Sequence, residues 1–423
     1  MAEPVAAGLD FGTSNSAIGF VRGGQATLHR FEHGRTLVPS ALFYSDDENR
    51  LLFGTEAETC FLADDEGRYL RALKSILGTS LTEEQTILGG RPWPFRQLLK
   101  RFVEFLKQDV ERREAVALST LVAGRPVRFS DDDARDAEAE TYLREILRDA
   151  GFADIRFLYE PIAALLDASD GMESPNLVLV ADIGGGTSDF TVARAQGDRS
   201  VAPGERFQIL ANHGVHIGGT DLDRRISLEV VMPLLGLGSE TRSLTSDEIL
   251  PVPASYFGDL ASWHKIHLFY SRKNRAEIGD IHRLALEPEK IDRLLQVMDN
   301  RLGHRLAARV EDLKIRLGSG DVQGGAASME LPELPDAAVA LVDNSRLRHT
   351  IRHELETLRR AVGRTLAIAG VRSAEIDHIV LTGGTTLLPA VRDAVATCVP
   401  NAALVPSDPF CAVVNGLTKA AVT

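Results

Sequence analysis

Two short segments of this 423-residue chain combine an aspartate with a glycine-rich turn and hydroxyl side chains. The first, residues 8–21, reads GLDFGTSNSAIGFV, and the second, residues 180–193, reads VADIGGGTSDFTVA. In each segment an apolar strand ends at an aspartate, a glycine-threonine turn follows, and a second strand-like run begins. Glycine lets a backbone approach a ligand closely, and successive N–H groups with Thr and Ser hydroxyls can donate to phosphate oxygens. Both segments therefore indicate an anion site beside a carboxylate.

The aspartates that end the two strands, Asp10 and Asp182, suit Mg²⁺ held through water, because this ion keeps much of its hydration shell. The residues predicted to cradle phosphate in the two turns are Gly12, Thr13, Ser14, Asn15, Gly184, Gly185, Gly186 and Thr187. Taken alone, either segment is also compatible with an ordinary polar hairpin. Their repetition on the scale of a domain indicates two lobes that hold a nucleotide tail and its metal from both sides.

The pattern around the turns predicts the elements that position them. Apolar spacing predicts an amphipathic helix over residues 95–110, and residues 68–77 also look helical. A long helix is predicted to begin at Asn344 or Ser345 and to stop at Gly370. Strands that alternate with such helices indicate an α/β fold.

Composition limits the class of protein. The chain has 60 acidic and 47 basic residues and a net charge of −13, which disfavours a nucleic-acid or anionic-membrane surface. Its N-terminus lacks the pattern of a signal peptide, and no apolar run is long enough for a membrane span. Cys60, Cys398 and Cys411 lie far apart, without metal-ligand spacing. We expect a cytoplasmic protein that binds neither nucleic acid nor membrane.

The two hairpins resemble the phosphate motifs of the actin-like ATPase superfamily, specifically those of the DnaK-type chaperones of the heat shock protein 70 family. Residues 159–165 (YEPIAAL) resemble the family's first connecting motif, and residues 214–223 (GVHIGGTDLD) the turn beside the terminal phosphate. Residues 380–389 (VLTGGTTLLP) resemble the adenosine motif, and residues 408–416 the second connecting helix. The resemblance implies an actin-like ATPase fold: two duplicated, ribonuclease H-like lobes with inserted outer subdomains and a central nucleotide cleft. It also implies ATP or ADP with Mg²⁺ as cofactors.

Residues 73–78 (LKSILG) resemble the segment whose lysine reaches over the γ-phosphate, which makes Lys74 that lysine. An isolated lysine on a helix is usually a solvated charge, but only eight of the 47 basic residues here are lysines. By the same resemblance Thr187 orients the attacking water, and Asp189 is a polar support. The catalytic residues that the resemblance implies are Lys74, Thr187, Asp182, Asp10 and Glu160.

The other nucleotide-binding residues implied by the resemblance are Gly218, Gly219, Thr220, Glu311, Lys314, Gly383, Gly384 and Thr385. Glu311 and Lys314 resemble the pair that hydrogen-bonds the ribose, although a solvated Glu/Lys pair at i,i+3 gives the same pattern.

The chain departs from the family where adenine binds. Ile315 and Leu387 stand where the family commonly has arginines that sandwich the base, and Phe410 and Cys411 replace acidic residues. Phosphate binding is therefore better supported than base recognition. We expect weaker binding of adenine nucleotides than in a full DnaK-type protein.

The predicted lobe I comprises residues 1–175, with an outer subdomain at about 37–116, and lobe II comprises residues 176–407, with an outer subdomain at about 223–309. A C-terminal helix, residues 408–423, is predicted to return to lobe I. Because this helix is the last element read before Thr423, the chain resembles truncated DnaK-like proteins of the YegD type, which lack a peptide-binding domain.

The expected function is that of a chaperone-like protein that binds ATP and hydrolyses it slowly. The partners implied are the nucleotide and an unfolded protein client or a co-chaperone. A small-molecule kinase of the same superfamily, a filament-forming protein of the actin or MreB kind, and a domain that binds nucleotide without turnover remain as alternatives.

Overall fold

The structure, a computed structural model, describes residues 3–63, 65–130, 132–168, 176–196, 201–243, 247–319, 326–332, 334 and 338–422. The strands, numbered along the chain, are β1 (Glu3–Phe11), β2 (Asn15–Arg22), β3 (Gln25–Leu28), β4 (Val38–Pro39), β5 (Ala41–Ser45), β6 (Arg50–Phe53), β7 (Gly67–Arg71), β8 (Gln85–Leu88), β9 (Arg91–Pro94), β10 (Val116–Arg125), β11 (Asp154–Tyr159), β12 (Leu177–Ile183), β13 (Ser188–Ala195), β14 (Phe207–Val215), β15 (Glu240–Arg242), β16 (Ile249–Pro251), β17 (Ala326–Leu331), β18 (Ala338–Asp343), β19 (His378–Thr382) and β20 (Ala403–Leu404). The helices are α1 (Gly54–Ala63), α2 (Phe95–Glu114), α3 (Asp133–Asp149), α4 (Glu160–Ala168), α5 (Gly219–Ile226), α6 (Ser255–Leu260), α7 (Ile266–Phe269), α8 (Arg272–Leu284), α9 (Pro288–Asp299), α10 (Gly303–Ser319), α11 (Asn344–Thr350), α12 (Arg352–Ala369), α13 (Pro389–Ala396) and α14 (Ala412–Ala420).

The first large sheet is built around β1, whose apolar residues are mostly buried. Its strand order is β11-β10-β1-β2-β3, and β4 pairs with β2. β1 pairs antiparallel with β2 and parallel with β10, and β11 continues the sheet in parallel beyond β10. β1 and β2 thus form the predicted first hairpin.

The second large sheet repeats this plan around β12, which is also a nearly continuous apolar run. Its order is β14-β13-β12-β19-β20. β12 pairs antiparallel with β13 and parallel with β19, and β20 follows β19 in parallel. Each sheet therefore has an antiparallel hairpin, a further antiparallel strand on one side, and two parallel strands on the other. The duplication predicted from the repeated hairpins is confirmed.

Two helix predictions have different outcomes. The helix predicted over residues 95–110 is α2, which buries Leu98, Leu99 and Phe102. The prediction at residues 68–77 is wrong, because β7 pairs antiparallel with β5 and is followed by a short 3₁₀ helix, Leu73–Ile76.

The chain divides into two compact units. The first comprises Met1–His216, Arg360–Thr386 and Val395–Thr423, and it contains both large sheets. The second comprises Ile217–Arg359 and Leu387–Ala394. The lobe boundaries predicted from sequence stay predictions, and the one at residue 175 lies outside the described residues.

Glycines allow α14 to pack closely inside the first unit. A Cβ on Gly8 of β1 would lie 2.4 Å from the backbone nitrogen of Thr418 in α14. On α14, a Cβ on Gly416 would lie 1.8 Å from the carbonyl oxygen of Ala163 in α4. The helix near the C-terminus is therefore held against both β1 and α4 by backbone contacts that only glycine permits.

The second unit contains two small antiparallel sheets, β15–β16 and β17–β18, and a set of amphipathic helices. Ile278 of α8 and Ile291 and Leu294 of α9 are fully buried and form part of its core. Across the part of the chain that the structure describes, no helix has both the length and the apolar character needed to cross a bilayer.

Candidate functional site

The two predicted phosphate turns approach each other within the first unit. The turns join β1 to β2 and β12 to β13. A Cβ on Gly185 of the second turn would lie 2.2 Å from Oγ of Ser14 in the first. Glycine at this position therefore lets the two polar turns meet.

The first turn is shaped by Gly12 and braced by Ser40. A Cβ on Gly12 would lie 2.2 Å from the carbonyl oxygen of Asn15, so a larger residue would open the turn. Oγ of Ser40 donates to the carbonyl oxygen of Gly12 at 2.7 Å. The backbone nitrogen of Ser40 donates to the carbonyl oxygen of Ser14 at 2.8 Å. Sequence analysis did not single out Ser40, because a serine after the short β4 strand carries no distinctive signal.

The second turn is closed by a hydrogen bond from the backbone nitrogen of Gly184 to the carbonyl oxygen of Thr187, at 3.0 Å. No described atom lies within 4 Å of where a Cβ on Gly186 would be. Thr187 is exposed at the end of the turn. Gly186 and Thr187 can therefore approach a ligand without displacing protein atoms.

Asp10 and Asp182, near the ends of β1 and β12, are largely enclosed carboxyl groups. Loss of hydration, reinforced by the Glu160 carboxylate, raises the pKa of Asp10 to about 7. Loss of hydration raises the pKa of Asp182 to about 8, and Glu160 and Asp189 add to this shift. Asp189 lies directly opposite Asp182 in the β12–β13 hairpin, and its own pKa is raised to about 6. A cation bound beside these carboxyl groups would lower their pKa values and favour the ionised forms.

Lys74 is the cation that the structure places at this cluster. Its ammonium forms an ion pair with Glu160, and the two side chains are only 11% and 13% exposed. Although loss of hydration opposes it, the negative groups Glu160, Asp10 and Asp182 raise the pKa of Lys74. Lys74 is therefore charged, and it partly offsets the shifts of the aspartate pKa values. The structure brings together four of the predicted catalytic residues in this way.

A buried arginine that sequence analysis did not identify contacts the end of the strand that leads into Glu160. Arg125 ends β10 and is the register partner of Tyr159, the residue before Glu160. Nη2 of Arg125 lies 2.9 Å from Oδ2 of Asp136, and its guanidinium carbon lies 5.3 Å from the centre of the Tyr159 ring. Arg125 therefore packs beside the junction between β11 and α4.

A small cavity adjoins the enclosed carboxyl groups, and its volume of about 20 Å³ can hold one water molecule. It is lined by Glu160, Asp182 and Asp189, and by Asn212 on the neighbouring strand β14. A water in this cavity could hydrogen-bond with these carboxyl groups.

The third glycine motif packs on the second turn. Gly383 has a positive φ of 82°, and a Cβ on it would lie 2.8 Å from Oδ1 of Asp182. Oγ1 of Thr385 donates to the carbonyl oxygen of Gly184 at 2.9 Å. Gly383, Gly384 and Thr385 are thus held beside the carboxyl cluster, as a shared ligand site requires.

The predicted residues of the second unit form a separate cluster. Gly218 precedes α5, and its backbone nitrogen donates to Oδ2 of Asp221 at 3.0 Å. Nζ of Lys314 lies 2.7 Å from Oδ2 of Asp223 and 3.2 Å from the carbonyl oxygen of Gly219. Lys314 therefore braces the glycine turn. Glu311, one turn earlier on α10, is exposed.

Within the described residues, no group of three or more His, Cys, Asp and Glu side chains is arranged to hold a metal ion by protein ligands alone. Asp10 and Asp182 offer carboxylate oxygens that a hydrated Mg²⁺ could use, because this ion usually keeps several waters.

Two sheets of one topology, each presenting a glycine turn beside an aspartate, define the actin-like ATPase class of fold. Within that class, the sequence profile of the Hsp70 protein family matches residues 6–233 and 284–418, and the chain belongs to the Hsp70 family.

Individual relatives are similar at low identity. The chaperone protein DnaK of Mycoplasmopsis agalactiae is 24% identical over 404 residues, which cover 93% of this chain and 54% of the relative. A chaperone protein HscA homologue of Actinobacillus pleuropneumoniae is 25% identical over 425 residues, which cover 96% of this chain and 55% of the relative. The chaperone protein DnaK of Endomicrobium trichonymphae is 29% identical over 225 residues, which cover 52% of this chain and 34% of the relative. The chain spans about half the length of the curated relatives that it matches nearly end to end.

Proposed function

We propose that this chain binds ATP and ADP with Mg²⁺ and hydrolyses ATP slowly, as a DnaK-like protein. The observation that carries the proposal is the meeting of the two glycine turns, through Ser14 and Gly185, beside enclosed carboxyl groups and Lys74. A nucleotide polyphosphate with bound Mg²⁺ supplies both an anion for the glycine turns and a cation for the carboxyl groups.

The residues fit a phosphate chain. Gly12 packs on Asn15 and Gly185 on Ser14 so closely that a Cβ would clash, which keeps the two turns compact and adjacent. Backbone N–H groups in successive turn residues are suited to bind phosphate oxygens. The hydroxyls of Thr13, Ser14 and Thr187 supply further donors.

The carboxyl groups fit a divalent cation. Asp10 and Asp182 have raised pKa values without a bound ion, and a cation would stabilise their ionised forms. When bound, Mg²⁺ would neutralise negative charge on the phosphates. We propose that both aspartates hold it through water.

Lys74 supplies the positive charge for the reaction itself. Its ammonium would donate to the transferring phosphoryl group, and Glu160 would keep the ammonium in position through their ion pair. Thr187, exposed on the second turn, would orient the attacking water.

The partners proposed beyond nucleotide are an unfolded protein client or a co-chaperone, because the matched relatives are named as chaperone proteins. Nucleotide binding by the second unit through Gly218, Gly219, Thr220, Glu311 and Lys314 is also proposed. We further propose that the chain is similar to DnaK-like proteins of the YegD type.

Phosphate release from ATP by Lys74→Ala and Lys107→Ala variants tests the chemistry. Lys107 is a matched control, because it is 13% exposed and also forms an ion pair, with Glu111. We expect Lys74→Ala to lower turnover by a factor of about 10² or more, as loss of one preorganised contact to the transition state does. ATP affinity should change little, because the turns make most of the phosphate contacts.

Lys107→Ala should keep the turnover of the wild type. Equal turnover in wild type and Lys74→Ala would show that Lys74 has no part in hydrolysis. Turnover absent from the wild type, with binding intact, would leave a nucleotide-binding protein without ATPase activity.

A further inference from the structure

Phe410 is an exposed aromatic residue beside the third glycine motif. Its side chain is 41% exposed, although the residues that follow it in α14 are mostly buried. A Cβ on Gly384 would lie 2.5 Å from Cε1 and 3.0 Å from Cζ of the Phe410 ring. Glycine at 384 therefore makes room for this ring, which rests on the turn and remains partly exposed to solvent.

The segment that carries Phe410 is fixed to the same turn. The carbonyl oxygen of Pro409 accepts from the backbone nitrogen of Gly383 at 2.8 Å and from Oγ1 of Thr382 at 3.2 Å. The backbone nitrogen of Phe410 donates to Oδ1 of Asp408 at 3.0 Å. The ring is thus attached to a rigid backbone.

The turn connects the ring to the proposed phosphate site. Gly383 packs against Asp182 and against the carbonyl oxygen of Ile183, which a Cβ would approach to 2.4 Å. Gly384, the next residue, packs against Phe410. Two consecutive glycines therefore separate an enclosed carboxyl group from an exposed aromatic ring, and all of these residues belong to the first unit.

We propose that Phe410 stacks on the base of the bound nucleotide. This inference rests on the proposed function. An aromatic face stacks on any base, because every base has a π-surface, so ATP and GTP should gain similarly from Phe410. Phe410 therefore determines affinity for a nucleotide over its bare phosphate chain, without strong preference among purines.

Calorimetric titration of two ligands, ATP and inorganic tripolyphosphate, each with Mg²⁺, tests the inference. The decisive variant is Phe410→Leu, because leucine keeps an apolar side chain on Gly384 but has no aromatic face. Stacking on one base corresponds to an affinity change of about 5- to 150-fold. We expect the Kd of Phe410→Leu for ATP to rise within this range while its Kd for tripolyphosphate stays within about twofold of wild type.

Two further variants complete the test. Phe410→Trp should keep ATP affinity, and ATP, but not tripolyphosphate, should change its added tryptophan fluorescence. Leu404→Ala, a 47% exposed apolar position on β20, should bind both ligands as the wild type does.

The outcomes separate the two proposals. If wild type and Phe410→Leu bind ATP equally, the stacking inference is overturned while the proposed function stands. An equal loss of ATP and tripolyphosphate affinity would also overturn it, since Phe410 would then only support the turn. If the wild type binds neither ligand, the proposed function fails and the inference fails with it.

Discussion

The charge balance around Lys74 explains how several carboxyl groups share a small volume in the first unit. Asp10, Asp182 and Asp189 all have raised pKa values, and in each case the positive charge of Lys74 opposes the rise. Glu160 contributes to all three shifts and pairs directly with Lys74. The site therefore has an excess of acidic groups over cations, which a bound metal ion would correct.

The identity of these residues could be predicted from motifs, whereas the residues that support the neighbouring turn and strand end could not. Lys74, Asp10 and Asp182 belong to recognisable segments with characteristic spacing. Ser40 and Arg125 act through contacts with chain segments distant in sequence, and neither residue type is unusual at its position. Their roles depend on tertiary packing, which a single sequence does not contain.

The raised pKa of Asp182 predicts a pH dependence. In the nucleotide-free native state its pKa is about 8, whereas an unfolded chain releases this proton near pH 4. The native state thus holds more protons between these values, so its stability falls as pH rises from about 4 to about 8. Asp182→Asn should therefore raise the free energy of unfolding, and more at pH 8 than at pH 5. Urea unfolding at both pH values measures this difference.

Asp47→Asn, at an exposed position before β6, is the control for removal of one carboxyl group. Asp182→Asn should also lose most of the stabilisation that Mg²⁺ adds to nucleotide binding. A gain in stability that is equal at the two pH values would contradict the enclosed state of Asp182.

At the scale of elements, the sequence pattern gave helix positions better than helix ends and short strands. The helix predicted from Asn344 or Ser345 to Gly370 is two helices, α11 and α12, separated at Ile351. Asp343, not Asn344 or Ser345, caps α11, because its side chain accepts from the backbone nitrogen of Arg346. The helix prediction for residues 68–77 is wrong because β7 is stabilised by its pairing with β5. A strand of five residues is too short to show a clear period in its sequence, and its conformation depends on its neighbour in the sheet.

Close packing of α14 predicts opposite effects for two helical glycines. A Cβ on Gly416 would lie 1.8 Å from a backbone oxygen of α4, so Gly416→Ala should destabilise the fold by about 1–3 kcal/mol or more. Gly363 lies inside α12, and beyond its own helix no described atom lies within 4 Å of where its Cβ would be. Gly363→Ala should stabilise by up to about 1 kcal/mol, the difference in helix propensity. Chemical denaturation of both variants measures these changes, and equal effects would contradict the packing of α14.

At the scale of the whole molecule, the two large sheets are the structural form of the sequence repeat. The hairpins β1–β2 and β12–β13 were predicted from similar motifs, but the order of the sheets was not. The parallel partners β10 and β19 come from distant parts of the chain, and their strand patterns alone do not specify which neighbour they join. Membership of the Hsp70 family explains why both sheets have one plan.

Thermal unfolding with and without Mg-ADP or Mg-ATP tests nucleotide binding most directly, because ligand that binds only the native state stabilises it by mass action. At a nucleotide concentration 100-fold above Kd, the stabilisation should be about 2.7 kcal/mol. The melting temperature should rise with either nucleotide, rise less when EDTA removes Mg²⁺, and rise less with AMP, which offers the turns a single phosphate. No change in melting temperature at millimolar Mg-ADP and Mg-ATP would contradict nucleotide binding at the two glycine turns.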